Sequence, residues 1–326
     1  MEKRDTQIYT KEYLLEMLEL MLLIRRFEEK ASQMYGFRKI GGFCHLYIGQ
    51  EASGVGSIKA IDLKKDYVLT AYRDHGIALA CGMSPDTLMA ELFGKVTGCS
   101  GGKGGSMHFF DVNKHFFGGN GIVGAHIPIA TGVGLKVRNM NENGVVLCFF
   151  GDGAIHQGSF HESLNMARIW NLPVLYICEN NYYGMGTDFR RVSAVEDFTV
   201  MGASYGIAGK QVNGMDVIEV NEVVKEEVER IRKDRTPGFL EIKTYRYKGH
   251  SMSDPARYRT KEELAGYRQQ DPVLLLKVRM VRDGHITEEE FLEMDAGIKK
   301  KCELAVEFAE KSKEPPLENL YKDVYA

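Results

Sequence analysis

The sequence predicts an α/β protein built on a doubly wound, mostly parallel sheet with helices on both faces and helical segments at either flank. Three observations predict it. Residues 145–150 and 174–178 are continuous apolar runs of strand length, and residues 159–170 between them carry helical spacing. A crossover of that length joining two buried runs makes the strands parallel and the connection right-handed. A further apolar run at residues 238–242 supplies another strand. With 326 residues, no internal repeat and no low-complexity linker, the chain reads as one domain, 1–326, with an N-terminal helix and a C-terminal helical extension.

The elements follow in order. Residues 10–35 place Leu14, Met17, Leu18, Met21, Leu22 and Phe27 on one stripe, the mark of a core-facing helix. Its apolar part, residues 14–24, is broken by Glu16 and Glu19 and falls short of the roughly 20 apolar residues of a bilayer span. Residues 1–10 mix acids with bases and lack the apolar core of a signal peptide, so the expected location is the cytoplasm. Ser84 as N-cap and Pro85 in the first turn open a second helix through Leu88, Leu92 and Phe93 that stops near Gly94 or Gly98. Residues 97–124 are glycine-rich, and a long irregular stretch of that kind usually serves function. After the strand at 238–242 comes a polar loop, residues 247–259, with His250 and Ser251. From Asp271 the chain is helical and charged through Lys311.

Composition narrows the function classes. At 44% hydrophobic, 27% charged and a formal net charge of −3, the chain shows no basic face for nucleic acid and no membrane anchor, which leaves small-molecule chemistry. Six cysteines form no C-x-x-C pair, and Cys148 and Cys178 lie in apolar runs, so reduced structural thiols are expected.

The chemistry concentrates where the two central strands end. Gly151-Asp152-Gly153 follows the first and Glu179-Asn180-Asn181 the second, so parallel strands bring both to the edge where doubly wound sheets bind ligands. A carboxylate, an amide oxygen and a nearby backbone carbonyl are hard oxygen donors suited to magnesium carrying a diphosphate. A helix starting after Ile155 would add free amides to that anion. Either residue alone reads better as a turn or a cap; the pair at one edge tips the reading to a site. Gly119-Asn120-Gly121-Ile122-Val123-Gly124 fits the dinucleotide pattern G-x-G-x-x-G, but no buried strand leads into it. Residues 101–106 place Gly104 after Lys103, where a P-loop needs Ser or Thr.

The stretch Gly151-Asp152-Gly153-Ala154-Ile155-His156-Gln157-Gly158, followed by Glu162, Asn165, Ala167, Leu172-Pro173 and Glu179-Asn180-Asn181, resembles the thiamine-diphosphate motif. Around it stand Gly42-Phe43-Cys44-His45-Leu46, Ala71-Tyr72-Arg73, Gly104-Gly105-Ser106-Met107-His108, residues 119–124 and Gly249-His250-Ser251-Met252-Ser253-Asp254-Pro255. Together these resemble the alpha subunits of pyruvate dehydrogenases from about residue 10 to the end. His126, His156 and a short loop between Pro255 and Tyr258 depart from that pattern without touching the metal pair.

The resemblance implies a set of roles. Asp152, Asn181 and the carbonyl of Tyr183 would hold Mg, while Tyr72, Arg73 and His250 reach the diphosphate. Gly151, Gly153 and Ala154 would border it, and Gly121 and Val123 would present backbone groups to the aminopyrimidine. His45, His250 and Ser251 would act near the substrate; a histidine in a loop is more often packed than catalytic, and the motifs raise these two. In mitochondrial relatives the serine matching Ser251 is phosphorylated. The implied reaction is decarboxylation of pyruvate with transfer of the acetyl unit to the lipoyl group of a dihydrolipoamide acetyltransferase. The acid for the aminopyrimidine would come from a beta subunit in a heterotetramer of two alpha and two beta chains. An acetoin or branched-chain 2-oxoacid dehydrogenase alpha subunit, a nicotinamide-dependent dehydrogenase and a scaffold with a relic site are the competing readings.

Overall fold

Thr10 opens α1 (Lys11–Gly36) by accepting the Tyr13 amide on its hydroxyl, and the stripe Leu14, Met17, Leu18, Met21, Leu22 and Phe27 is buried. The structure, a computed structural model, describes residues 9–322 and residue 324; the reading of the first eight residues lies outside them. After α2 (Glu51–Lys59), β1 (Tyr67–Thr70) and α3 (His75–Ala80), Ser84 caps α4 (Pro85–Leu92) with Pro85 at its start, as the sequence indicates. The glycine-rich stretch then runs irregularly with two short 3-10 turns before α5 (His126–Asn139).

The central unit is β2 (Val146–Gly151), α6 (Gly158–Ile169) and β3 (Val174–Asn180). β3 extends two residues past the apolar run because Glu179 and Asn180 are buried and still pair with the sheet. The helix expected after Ile155 begins instead at Gly158, since a 3-10 turn over Asp152–Ala154 carries the chain around the sheet edge first. A two-residue hairpin, β4 (Tyr183–Gly184) with β5 (Thr187–Asp188), follows, then α7 (Thr199–Ala203), β6 (Gly209–Asn213), α8 (Val217–Asp234) and β7 (Gly238–Lys243). The chain closes with α9 (Lys261–Arg268), α10 (Pro272–Arg282) and α11 (Glu288–Lys311).

Five strands pair in the order β1-β2-β3-β7-β6, every neighbour parallel. Successive side chains alternate faces along a strand. Leu147, Phe149, Leu175 and Ile177 therefore meet a core shared with α1, α2, α8, α10 and α11, whereas Val146, Cys148, Phe150, Tyr176 and Cys178 meet a second core with α5 and α6. Both faces are covered, which is the doubly wound arrangement. In this register Gly151 lies opposite Glu179, so the two segments that follow leave the sheet side by side.

The glycine-rich segment owes its order to one side chain. Glu91, buried on α4, accepts the amides of Ser100 and Gly102 on Oε2 and of Gly104 and Gly105 on Oε1, at 2.7–3.0 Å. Gly102 has φ +77°, and a Cβ there would stand 2.6 Å from the carbonyl oxygen of Gly94, so only glycine fits the turn.

Candidate active site

Two adjoining cavities open beyond the carboxyl ends of β1, β2 and β3. The inner one, about 340 Å³, is lined by Tyr72, Arg73, Gly151, Asp152, Gly153, Ala154, Asn181, Tyr183 and Arg246, with Val123 at its border. The outer, about 670 Å³, is lined by Phe43, His45, Tyr72, Gly121, Val123, His250 and Ser251. All the residues singled out in the sequence thus gather in one connected space, although they come from six separate segments.

Three residues that carry hard oxygen donors line the inner cavity. Asp152 stands in the 3-10 turn after β2, against Gly184 of the hairpin. Asn181 follows β3, and its Oδ1 accepts from Arg246 Nη1 at 3.0 Å. The Tyr183 carbonyl accepts from the same nitrogen at 3.0 Å. Both oxygens thus turn to the same side of the segment that follows β3, where one guanidinium nitrogen meets them. Among the described residues no cluster of three or more His, Cys, Asp or Glu could hold a metal, and none is needed here: one carboxylate, one amide and one carbonyl form the hard-oxygen set that magnesium accepts beside diphosphate. Burial pushes the Asp152 carboxyl up to about 6, against the pull of the Arg246 charge. A bound cation would favour the ionised form, so the donor set fits the metal.

Arg246 is the residue of this cavity that sequence reasoning missed. Almost fully buried, it also donates from Nη2 to the Met185 carbonyl and the Tyr258 hydroxyl, each at 2.9 Å. Its only local signal was a cation between Tyr245 and Tyr247 just beyond a strand. Arg73, which as a bare dipeptide with Tyr72 could have been an exposed helix start, is buried too; it donates to the carbonyls of Leu46 at 2.7 Å and His250 at 2.8 Å. That ties three segments around the cavity. Burial, and then repulsion from Arg246, lower its guanidinium to about 10, which leaves it charged at neutral pH.

The rings of His45, Tyr72 and His250 pack together, with His45 4.7 Å from Tyr72 and 5.0 Å from His250 between centroids. Burial, reinforced by Arg73, lowers His45 to about 2 and His250 to about 4, so both imidazoles are neutral at pH 7. A neutral imidazole has one N–H donor and one acceptor, which suits proton exchange with a substrate oxygen. The His45 amide is held by the Ser106 hydroxyl at 3.1 Å, and the same hydroxyl lies 2.9 Å from His75 Nε2. Ser251 is nearly buried, 3.0 Å from the Ser253 hydroxyl. Exposed apolar side chains are part of the lining: Phe43, Met185 and Val192 are each more than half exposed.

The dehydrogenase E1 component family matches residues 19–318. Among curated relatives, the pyruvate dehydrogenase E1 component subunit alpha of Rhizobium meliloti (strain 1021) is 50% identical over 317 residues, covering 97% of this chain and 91% of the relative. The protein of the same name from Rickettsia bellii (strain RML369-C) is 47% identical over 94% of this chain and 93% of its own length. The testis-specific mitochondrial form from Rattus norvegicus is 44% identical, over 98% of this chain and 81% of its own.

Proposed function

Since the chain belongs to the dehydrogenase E1 component family, we propose that it is the alpha subunit of a pyruvate dehydrogenase that decarboxylates pyruvate and passes the acetyl unit to a lipoyl group. The observation that carries this reading is that Asp152, Asn181 and Tyr183 line one cavity beside two buried guanidiniums at the carboxyl edge of the sheet. Thiamine diphosphate, held through Mg, would supply the nucleophilic carbon and the electron sink for the decarboxylation. The names of the relatives favour pyruvate over acetoin or branched-chain 2-oxoacids.

The chain's own residues divide the work. Asp152, Asn181 and the Tyr183 carbonyl hold magnesium; Arg73, Arg246, Tyr72 and His250 hold the diphosphate, with planar guanidinium donors matched to phosphate oxygens. Gly151, Gly153 and Ala154 let the backbone approach it, and Gly121 and Val123 offer main-chain groups to the aminopyrimidine. His45 and His250, kept neutral by burial, exchange protons with the substrate, and Ser251 donates a hydrogen bond beside them.

Exposed apolar side chains in the lining of the outer cavity support a contact with another chain there. We take the partner to be a beta subunit, in a heterotetramer of two alpha and two beta chains that hands its product to a lipoyl-bearing dihydrolipoamide acetyltransferase. We also take the chain as a single thiamine-diphosphate-binding domain acting in the cytoplasm. All six cysteines are free and five are buried, as a reducing compartment favours.

The test is co-purification with the beta partner followed by a decarboxylation assay with thiamine diphosphate and magnesium. Pyruvate should turn over faster than 2-oxoisovalerate or acetoin, and only when both subunits are present. An alpha chain that decarboxylates pyruvate alone, or a pair that prefers another substrate, overturns the reading.

A further inference from the structure

We propose that Gln50 is a positioning residue of the metal site, which fixes the direction of the Asn181 amide so that its oxygen, not its nitrogen, faces the cation. The inference rests on the reading of Asp152, Asn181 and Tyr183 as metal ligands and goes beyond it to a residue outside that donor set.

An asparagine amide is nearly symmetric in shape, and a half-turn about its last bond exchanges an acceptor for a donor. For a metal ligand that half-turn is fatal, since an NH2 group offers the cation no lone pair. In this structure both ends of the Asn181 amide are engaged. Oδ1 accepts from Arg246 Nη1 at 3.0 Å, and Nδ2 donates to Gln50 Oε1 at 2.8 Å. Both Asn181 and Gln50 are buried, Gln50 with 1% of its surface exposed.

Polarity propagates along this row in one direction. A guanidinium is donor-only, so Asn181 must turn its oxygen toward Arg246; its nitrogen then faces Gln50, which must answer with an oxygen. A magnesium ion imposes the same order as the guanidinium. The cost is visible at the far end, where Gln50 Nε2 is buried without a partner. Flipping Gln50 would set two N–H groups face to face and lose the 2.8 Å bond as well.

The backbone holds Gln50 where this relay needs it. Its amide donates to the Tyr47 carbonyl and its own carbonyl takes the Ser53 amide at the start of α2, each at 3.0 Å. Gly49 before it has φ +100°, and a Cβ there would lie 2.2 Å from the Tyr245 carbonyl, on the segment that carries Arg246. Glycine at 49 therefore lets the Gln50 and Arg246 segments close on Asn181 from two sides.

The experiment titrates Mn2+ into the alpha chain complexed with its beta partner, with thiamine diphosphate present, and reads free Mn2+ by electron paramagnetic resonance. Gln50→Glu keeps the acceptor and should bind Mn2+ at least as tightly as wild type. Gln50→Met and Gln50→Leu, both close to glutamine in volume so that one folded variant suffices, should bind it about 10–100-fold more weakly, the usual effect of losing an outer-shell partner. Wild-type affinity in Met or Leu variants overturns the proposal, and so does loss of affinity in Gln50→Glu. Asp152→Ala separates the two levels: if it too binds Mn2+ normally, the metal-site reading fails along with the inference, whereas loss there with normal binding in Gln50→Met sinks the inference alone.

Discussion

Exchanging Glu91 for glutamine tests how the glycine-rich segment is held, because the shapes match and only two acceptor sites change. In the wild type Oε1 takes the amides of Gly104 at 2.7 Å and Gly105 at 3.0 Å, while Oε2 takes those of Ser100 at 2.8 Å and Gly102 at 2.9 Å. Glutamine keeps one oxygen, so one pair survives and the other pair meets an NH2 group. Hydrogen bonds to a charged acceptor contribute about 1.5–3 kcal/mol each, and these partly buried amides can recover some of that from water, so the lower value applies: about 3 kcal/mol for the pair. At about 1.4 kcal/mol per tenfold, local opening of the segment becomes about 100-fold more frequent. Hydrogen–deuterium exchange of peptides covering residues 98–106 should report that acceleration. The segment also carries Ser106, which holds the His45 amide, and leads to Gly121 and Val123, so thiamine diphosphate should bind more weakly. Unchanged protection over residues 98–106 in Glu91→Gln would refute the role of the carboxylate.

Ser251→Glu places a charge beside His45, His250 and the opening to the inner cavity; two like charges about 5 Å apart at an effective dielectric near 20 repel by about 3 kcal/mol, so turnover should fall about 100-fold. Full activity in that variant would defeat the expectation. Asp74 is buried with one carboxylate oxygen unpartnered, and burial raises its carboxyl to about 8. The folded protein then keeps this proton to higher pH than the unfolded chain does, so stability is greatest below the ordinary carboxyl range and declines as pH rises through about 8. Asp74→Asn cannot ionise, and its denaturation midpoint should gain on the wild type between pH 5 and pH 8 and hold that gain above; parallel pH profiles would contradict the argument.

What the sequence disclosed and what it hid divide by the range of the interactions. The β2-α6-β3 unit shows in local periodicity, and parallel pairing then forces Asp152 and Asn181 to one edge, as the Gly151 to Glu179 register bears out. Ser84 and Pro85 announced a helix start because caps act within a turn. The edge strand β6 is only half-buried and carries Lys210 and Gln211, so it lacks the apolar run that marked its neighbours. α8 announces itself by the Asp216 cap and a buried stripe of Val217, Val220, Val224, Val228 and Ile231, yet its charged outer face masked that signal. Glu91 looks like the polar face of an ordinary amphipathic helix; only the folded loop reveals four amides on it. Gln50 and Arg246 meet Asn181 across 131 and 65 residues, and no spacing rule spans such distances.

The arrangement of charge also explains why such partners are needed. Arg73 and Arg246 are both buried beside the inner cavity, and repulsion from Arg246 adds to burial in lowering Arg73. His45 and His250 are driven neutral by burial and by the same two cations, which keeps further positive charge out. Backbone carbonyls of Leu46, His250, Tyr183 and Met185 satisfy the guanidinium hydrogens but bring no full negative charge. Glu28 and Glu179 oppose the effect of burial on Arg73, and Asp152 and Asp254 act on Arg246. Two guanidiniums beside one cavity still favour an anion, and a diphosphate that carries one divalent cation keeps negative charge to offer them, which an uncharged ligand does not. Binding energy released by the anion is then available to stiffen the loops that carry His45 and His250, because Arg73 connects both of them to the anion site.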